Sequence, residues 1–284
     1  MKPAILMTDP AHYDVRYEIN PWMRPAEWTP EHLSSAIRAW QDLKRALERA
    51  GADVSVIEST PGWPDMVFAA NLAVVFDRKF VLARFRHEER RGEEAHFRAA
   101  LGARADKEII SLPPGMIQEG AGDFIWDVTR RIFWAGYGQR SDRSAALWIG
   151  DVLGAETVPL ELASPRFYHL DTCFCPLSGG EVLYYPPAFT DDALRAIRAR
   201  VAPQALIEAD AQAAAAFCIN AVNLGRTIVM SKAPRSWRAI LAGRGYKIEE
   251  VDLAPFILSG GAAFCLTLRL DNAHVTASLE AATG

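Results

Sequence analysis

Cys265, His169, Glu119, Asp123 and Asp171 could do covalent chemistry together, and their spacing suggests that they meet. Five apolar stretches, FAANLAVVF, EGAGDFIWD, YHLDTCFCPL, FCINAVNLG and AAFCLTLRLD, recur about 50 residues apart, each with a polar residue at a comparable point. The marked positions are Asn71, Asp123, Asp171, Asn220 and Cys265. A period of this size means one supersecondary unit copied around an axis or along a stack. A ring of five units would carry the marked positions to its centre, with His169 and Glu119 close by in sequence. A thiol, an imidazole and several acids would then share one pocket.

A cysteine becomes nucleophilic as the thiolate, which a neighbouring base or cation favours. His169 can supply that help and shuttle protons afterwards. Acids beside a thiol oppose its ionisation, so their presence needs a reason. A cationic substrate supplies one, because it neutralises the carboxylates as it binds. A guanidinium fits best, since its planar N–H forks match carboxylates bidentately. Its central carbon is a poor electrophile, so acids must orient the group before a thiolate attacks. Taken singly, each residue has a plainer explanation. A lone cysteine is most often a core residue, and Glu119, Asp123 and Asp171 are acceptable turn acids. Their equivalent places in the repeat are what favour a site.

The elements that must position these residues come as hairpins alternating with helices. Ala4–Thr8 reads as a strand. Thr29-Pro30 opens a helix through Leu33, Ile37, Trp40, Leu43 and Leu47 that stops at Gly51. Val54–Ile57, Met66–Phe76 and Phe80–Phe85 read as strands, with a turn at Asp77-Arg78-Lys79. A charged helix runs from about Glu88 to Leu101. Strands at Glu119–Trp126 and Arg131–Ala135 precede a helix at Arg143–Leu153. Tyr168–Pro176 and Glu181–Tyr185 flank a Gly-Gly turn, and Thr190 caps the next helix. Phe217–Leu224 and Thr227–Met230 form another hairpin, followed by a helix at Arg235–Leu241 and a strand at Lys247–Val251. The Gly260-Gly261 turn leads into a last strand that carries Cys265. Hairpins between helices predict mostly antiparallel neighbours, hence an α/β propeller of mixed sheets rather than a doubly wound sheet. Neither GxGxxG nor GxxxxGK[ST] occurs.

Composition narrows the classes further. The chain has 284 residues, half of them hydrophobic, and no linker divides it, so one domain over residues 1–284 is expected. A net charge of −4 without basic stripes argues against nucleic-acid binding. No apolar run is long enough for a transmembrane helix, and Asp9-Pro10 interrupts the signal-like start. Four cysteines give no disulfide framework, which suits a reducing cytoplasm. Cys173 and Cys175 lack the spacing of a zinc pair. The charge run from Arg84 to Glu94 reads mainly as a solvated helix face.

HLDT at His169–Thr172, EGAGD at Glu119–Asp123, PDMVFAAN at Pro64–Asn71 and GGAAFC at Gly260–Cys265 resemble motifs of the guanidino-group-modifying enzymes, in the same order along essentially the whole chain. That superfamily includes arginine deiminase, dimethylarginine dimethylaminohydrolase, arginine dihydrolase and the amidinotransferases. The resemblance implies a pentein fold of five ββαβ-type units around a central site, and no metal or organic cofactor. It implies that Cys265 attacks the guanidino carbon, His169 protonates the leaving amine and activates water, and Glu119 steadies His169 and touches substrate. Asp171 would grip the guanidinium, with Asp123 also in the substrate site. Arg90 and Arg140 resemble the arginines that hold a substrate carboxylate.

Two departures choose among the members. Arginine deiminases carry a carboxylate where this chain has Asn71, whereas arginine dihydrolases resemble it in carrying asparagine. They also share the DPAHYDVRYEINPWM-like segment, in which Asn20 would reach the site; the stretch from Asp9 to Pro25, rich in Pro and aromatic residues, reads equally as a lid or as a packed N-terminal arm. A dihydrolase must hold a guanidinium and then a neutral ureido group; Asp171 suits the first, and Asn71 does not penalise the second. Dimethylarginine-specific enzymes lack an acid at the position of Asp171. The expected activity is therefore hydrolysis of free arginine to ornithine, ammonia and carbon dioxide through covalent Cys265 intermediates. The alternatives are dimethylarginine hydrolysis, deimination to citrulline and amidino transfer. A ribosome-binding translation factor with the same fold catalyses nothing, but a pure binder has no reason to assemble Cys265, His169 and Glu119. The expected partner is a small guanidine, with homo-oligomer formation left open.

Overall fold

A computed structural model of the chain describes residues 2–103 and 107–274. Residues 1, 104–106 and 275–284 of the expected 1–284 domain lie outside the described residues. Five three-stranded sheets are present among the described residues. The first contains β1 (Ala4–Thr8) and β2 (Asp53–Ile57). The second holds β3 (Ala73–Phe76), β4 (Lys79–Leu82) and β5 (Glu108–Ile110). The third holds β6 (Phe124–Asp127), β7 (Ile132–Tyr137) and β8 (Thr157–Glu161). The fourth holds β9 (Phe174–Pro176), β10 (Val182–Tyr184) and β11 (Leu206–Glu208). The fifth holds β12 (Val222–Leu224), β13 (Thr227–Ser231) and β14 (Lys247–Val251).

In every sheet the middle strand runs antiparallel to one neighbour and parallel to the other. The expectation of mostly antiparallel neighbours is thus corrected: the two kinds are equal in number. The reason is the crossover helix. A hairpin joins antiparallel strands, but a third strand that follows a helix returns parallel to the middle one. Three of these third strands, β5, β8 and β11, had no strand reading in the sequence, because short half-exposed segments such as Glu108-Ile109-Ile110 lack a full alternation period. The first sheet draws on both chain ends. The last strand, β15 (Leu268–Arg269), pairs with β1 through Ile5↔Arg269 and Leu6↔Leu268, and this closes the ring.

The first crossover helix, Pro30–Arg49, shows why these segments fold so. Pro30 sits in its first turn, and the Thr29 N–H donates to His32 Nδ1 at 3.0 Å. Ala36, Ala39, Trp40, Leu43, Ala46 and Leu47 are buried at helical spacing. Burying a side chain such as Leu43 contributes about 1.5–3 kcal/mol. The charged helix is two helices, Glu88–Arg91 and Glu93–Gly102. At Gly92 between them, an added Cβ would lie 1.9 Å from the Trp63 ring. The solvated-face reading also fails there for Arg90 and Glu93, which are 3% and 0% exposed.

The largest correction concerns the strands expected to carry the marked residues. Met66–Phe76, Glu119–Trp126 and Tyr168–Pro176 each begin as tight 3₁₀ turns, at Pro64–Val67 and Ala69–Asn71, Gly120–Gly122, and Leu170–Thr172. Only their second halves are strand. Asn220 and Cys265 likewise lie in turns ahead of β12 and β15. Apolar content made these segments read as strands, but buried turns are equally apolar.

Candidate active site

The five turns converge, and one cycle of hydrogen bonds joins them. Asn71 Nδ2 donates to the Glu119 carbonyl at 2.8 Å. The Leu170 N–H donates to Asp123 Oδ1 at 2.8 Å. Asn220 Nδ2 donates to the Asp171 carbonyl at 3.1 Å. The Cys265 N–H donates to Asn220 Oδ1 at 3.2 Å. The Ala70 N–H donates to the Cys265 carbonyl at 3.0 Å and closes the loop. The side chains of Asn71, Asp123 and Asn220 thus satisfy buried backbone groups of neighbouring units, which buried polar groups require. Gly120 is needed where the turns crowd. Its φ is +73°, and a Cβ there would stand 2.5 Å from the Ala70 carbonyl oxygen. Gly120→Ala is expected to lower Tm by roughly 5–10 °C. Thermal unfolding followed by circular dichroism checks this, and an unchanged Tm would mean that the turns tolerate separation.

Within the ring, the Cys265 thiol donates to Asp171 Oδ2 at 3.1 Å, and Asn220 Nδ2 donates to the same sulfur at 3.0 Å. Asp171 Oδ1 is buried and has no partner among the described residues. His169 Nε2 lies 2.8 Å from Glu119 Oε2. The imidazole and the sulfur's carboxylate partner are close neighbours. A Cβ placed on Gly122 would be 3.4 Å from His169 Nδ1 and 3.5 Å from Asp171 Oδ2.

Electrostatics sort the acids. Burial alone would raise Glu119, but the Arg140 guanidinium and the His169 hydrogen bond hold it well below the usual carboxylate range. Burial pushes Asp171 up to about 7, despite the hydrogen bond from the Cys265 thiol. Burial raises Asp123 to about 6 against the pull of His169 and Ser141. Burial, reinforced by Asp171, pushes the Cys265 thiol well above its ordinary value. Without substrate, then, Glu119 is charged and Cys265 is a thiol. Five buried acids (Asp65, Glu93, Glu119, Asp123 and Asp171) accompany two buried arginines (Arg90 and Arg140), and burial leaves every acid except Glu119 raised, so a cationic ligand would favour their ionisation.

Asn20, Asn71, Arg90, Arg140 and Cys265 line a small cavity, with Asp65, Phe68 and Tyr168 among its other walls. His169, Glu119, Asp123 and Asp171 are not among its lining residues. Asp123 is fully engaged: Oδ1 takes the Leu170 N–H, and Oδ2 takes the Ser141 hydroxyl at 2.7 Å. It braces the ring. Arg140 donates to Glu119 Oε2 at 3.0 Å and to the Ile19 carbonyl at 2.7 Å, lying over the Tyr168 ring. Arg90 donates through Nε and Nη2 to the two oxygens of Glu93 at 3.0 and 2.8 Å, and through Nη1 to Asn71 Oδ1 at 2.9 Å. Asn20 Nδ2 donates to the Ser259 carbonyl at 3.0 Å. The segment around Asn20 is also tied down by Tyr17, whose hydroxyl donates to Asp65 Oδ2 at 3.0 Å.

Sequence reasoning missed Glu93, Ser141, Asp65 and Tyr17 as supports of the site. Glu93 had a signal, its i,i+3 spacing from Arg90 on a helix. Asp65 lies inside the PDMVFAAN motif. Tyr17 lies inside the DPAHYDVRYEINPWM segment, whereas Ser141 had no signal, because its partner Asp123 lies on another element. Among the described residues, no cluster of three histidine, cysteine or acidic side chains is set to hold a metal ion.

A five-unit α/β propeller with a cysteine, a histidine and acids at its hub is the architecture of the pentein, guanidino-group-modifying superfamily. The chain belongs to the family described as N,N dimethylarginine dimethylhydrolase, eukaryotic, whose model matches residues 16–271. It is 43% identical over 284 residues to the bifunctional arginine dihydrolase/ornithine cyclodeaminase ArgZ of Synechocystis, covering 97% of this chain and 39% of ArgZ. The chain thus spans well under half of that relative's length. It is 36% identical to the N(G),N(G)-dimethylarginine dimethylaminohydrolase of Mycobacterium tuberculosis, covering 93% of this chain and 84% of that protein. The crystal structure of the N-terminal domain of ArgZ, a cysteine-to-serine variant bound to substrate, is similar at a TM-score of 0.91 and 42% identity. That match covers 95% of this chain and 99% of the domain.

Proposed function

We propose that this chain is an arginine dihydrolase, converting free arginine and two waters to ornithine, two ammonia and carbon dioxide. The observation that carries the proposal is the pairing of Cys265 Sγ with a buried Asp171 carboxylate whose second oxygen has no partner among the described residues. A guanidinium N–H is the complementary group. The cation relieves the charge that holds the thiol protonated, and the substrate thereby prepares its own nucleophile. The similarity to ArgZ supports arginine as substrate.

The sulfur electron pair then forms a C–S bond to the guanidino carbon, and a C–N π pair moves onto nitrogen. His169, held by Glu119, gives a proton to that nitrogen. The C–N bond breaks and ammonia leaves an amidino thioether. Water, deprotonated by His169, adds to the same carbon. The C–S bond breaks, returning its pair to sulfur and leaving a ureido group. A second attack on the ureido carbon expels the second ammonia. That attack leaves a thiocarbamate on Cys265; the second water adds to its carbon, the C–S bond breaks with its pair returning to sulfur, and the carbamate released loses carbon dioxide to give ornithine. Asn71 presents a neutral amide at the wall that both intermediates meet. Arg90 and Arg140 offer positive charge to the substrate carboxylate. The reading places the enzyme in the cytoplasm, acting as one catalytic unit with no metal or organic cofactor. Among the described residues, no helix is long and apolar enough to cross a membrane.

The family model and the mycobacterial relative favour a second reading, dimethylarginine hydrolysis to citrulline and an amine. Product analysis separates the two. Arginine is expected to yield ornithine with two equivalents of ammonia, and dimethylarginine little product. Citrulline accumulating from arginine would make the enzyme a deiminase, and turnover of dimethylarginine alone would overturn the role given to Asp171.

A further inference from the structure

We propose that Asn220 is a catalytic residue, whose side-chain amide N–H stabilises the negative charge on Cys265 Sγ whenever the sulfur ionises. The inference rests on the reading of Cys265 as nucleophile. Asn220 is 0% exposed and uses its whole side chain. Its Oδ1 accepts the Cys265 and Ala262 N–H groups, both at 3.2 Å. Only the amide oxygen can accept two backbone donors, so the orientation of the amide is not open to exchange. Nδ2 must therefore carry its two hydrogens to the remaining neighbours, the Asp171 carbonyl at 3.1 Å and Cys265 Sγ at 3.0 Å. Three bonds aim the fourth. A donor held in this way needs no reorganisation when charge arrives on the sulfur.

The sulfur's two neighbours act in opposite directions. Asp171 accepts from the thiol and resists its ionisation, whereas Asn220 donates to it and favours the anion. When a guanidinium draws Asp171 away, Asn220 stays, because ring bonds and not the substrate fix it. Cys265 carries negative charge at two stages of each half-reaction. It gives its pair to the substrate carbon as the C–S bond forms, and it takes the pair back as that bond breaks. A donor at the sulfur lowers nucleophilicity in proportion to basicity, but only partly, while it improves the sulfur as a leaving group.

The test is the pH dependence of Cys265 alkylation by iodoacetamide, a neutral probe, read by mass spectrometry at that residue without substrate. Asn220→Asp keeps an oxygen for the two backbone N–H groups but turns the donor into an acceptor. The alkylation midpoint is expected to rise by at least about one pH unit, a tenfold lower rate at fixed pH. With arginine, kcat is expected to fall about 100-fold and KM to change less than about threefold. Asn220→Ala removes the donor without adding charge and is expected to move the midpoint the same way. A folded variant with the parental midpoint would overturn the proposal and leave Asn220 as a ring staple. Should neither variant fold, the unmodified chain decides by ¹⁵N NMR. The Asn220 side-chain N–H resonance is expected to titrate with the thiol and not in Cys265→Ser; no shift in the parent would equally overturn the proposal. Undiminished ammonia release after Cys265 is fully alkylated would instead sink the nucleophile reading.

Discussion

Cys265→Ser is expected to reduce ammonia release from arginine by at least about 10⁴-fold in kcat, as loss of a covalent nucleophile does. The sulfur is replaced by a smaller, far more basic oxygen, and the one base at hydrogen-bond distance, the Asp171 carboxylate, is too weak to compensate. Its partners are a carboxylate at 3.1 Å and an amide donor at 3.0 Å. His169 is held toward Glu119, and the proposed mechanism uses it for the leaving group and the water. The exchange is nearly isosteric at a site 3% exposed, so Tm is expected to move by only a few degrees. Ammonia assay beside thermal unfolding checks both halves. A serine variant within tenfold of the parent would refute covalent catalysis.

Asp171→Asn is expected to lower kcat/KM for arginine by about 10²–10³, as removal of one partner from a buried charge pair does. The structure adds a pH signature. Burial pushes Asp171 up to about 7. Below that value the free enzyme holds a neutral acid, and above it the carboxylate that binds the cation. The parental kcat/KM should therefore climb as pH rises through about 7, since that profile reports the free enzyme. The Asn variant should lose this step. Asp171 also raises the Cys265 thiol, so the variant's ligand-free thiol should react faster with iodoacetamide at pH 8. Turnover and alkylation thus move in opposite directions, which general damage to the site would not produce. Stability has a defined sign as well. A carboxyl raised from 3.8 to about 7 on folding favours the fold below about 3.8, and that contribution is lost as pH rises through about 7. At pH 8 the substitution should therefore not lower Tm. A parental kcat/KM already flat at pH 5 to 6 would count against this role for Asp171.

Much of the hub was legible because symmetry marked it. Asn71, Asp123, Asp171, Asn220 and Cys265 stand at equivalent points of a repeat, and the structure joins all five turns through hydrogen bonds. Less legible was what each side chain does there. Asp123 has an acid's chemistry but spends both oxygens on Leu170 and Ser141. Arg90 stood out only by its resemblance to carboxylate-holding arginines, and the mixed-sign run around it did not show that it is buried against Glu93 and Asn71. A charge pattern reports composition, whereas burial depends on which neighbours cover the helix.

By itself the sequence determined the repeat, the helix boundaries with clear caps and stops, and the residue types at the hub. Periodicity and capping act over a few residues, so they are written locally. Tertiary structure alone decided the parallel third strands, the folding of apolar segments into 3₁₀ turns instead of strands, and the closure of the first sheet by β15. It also decided which atom of Asn220 meets the sulfur. Each of these depends on contacts between residues some 20 or more positions apart in the chain, from Thr227↔Lys247 in the fifth sheet to Asn220 and Cys265 at the hub. Such contacts leave no local pattern, because their free energy exists only once the ring has closed.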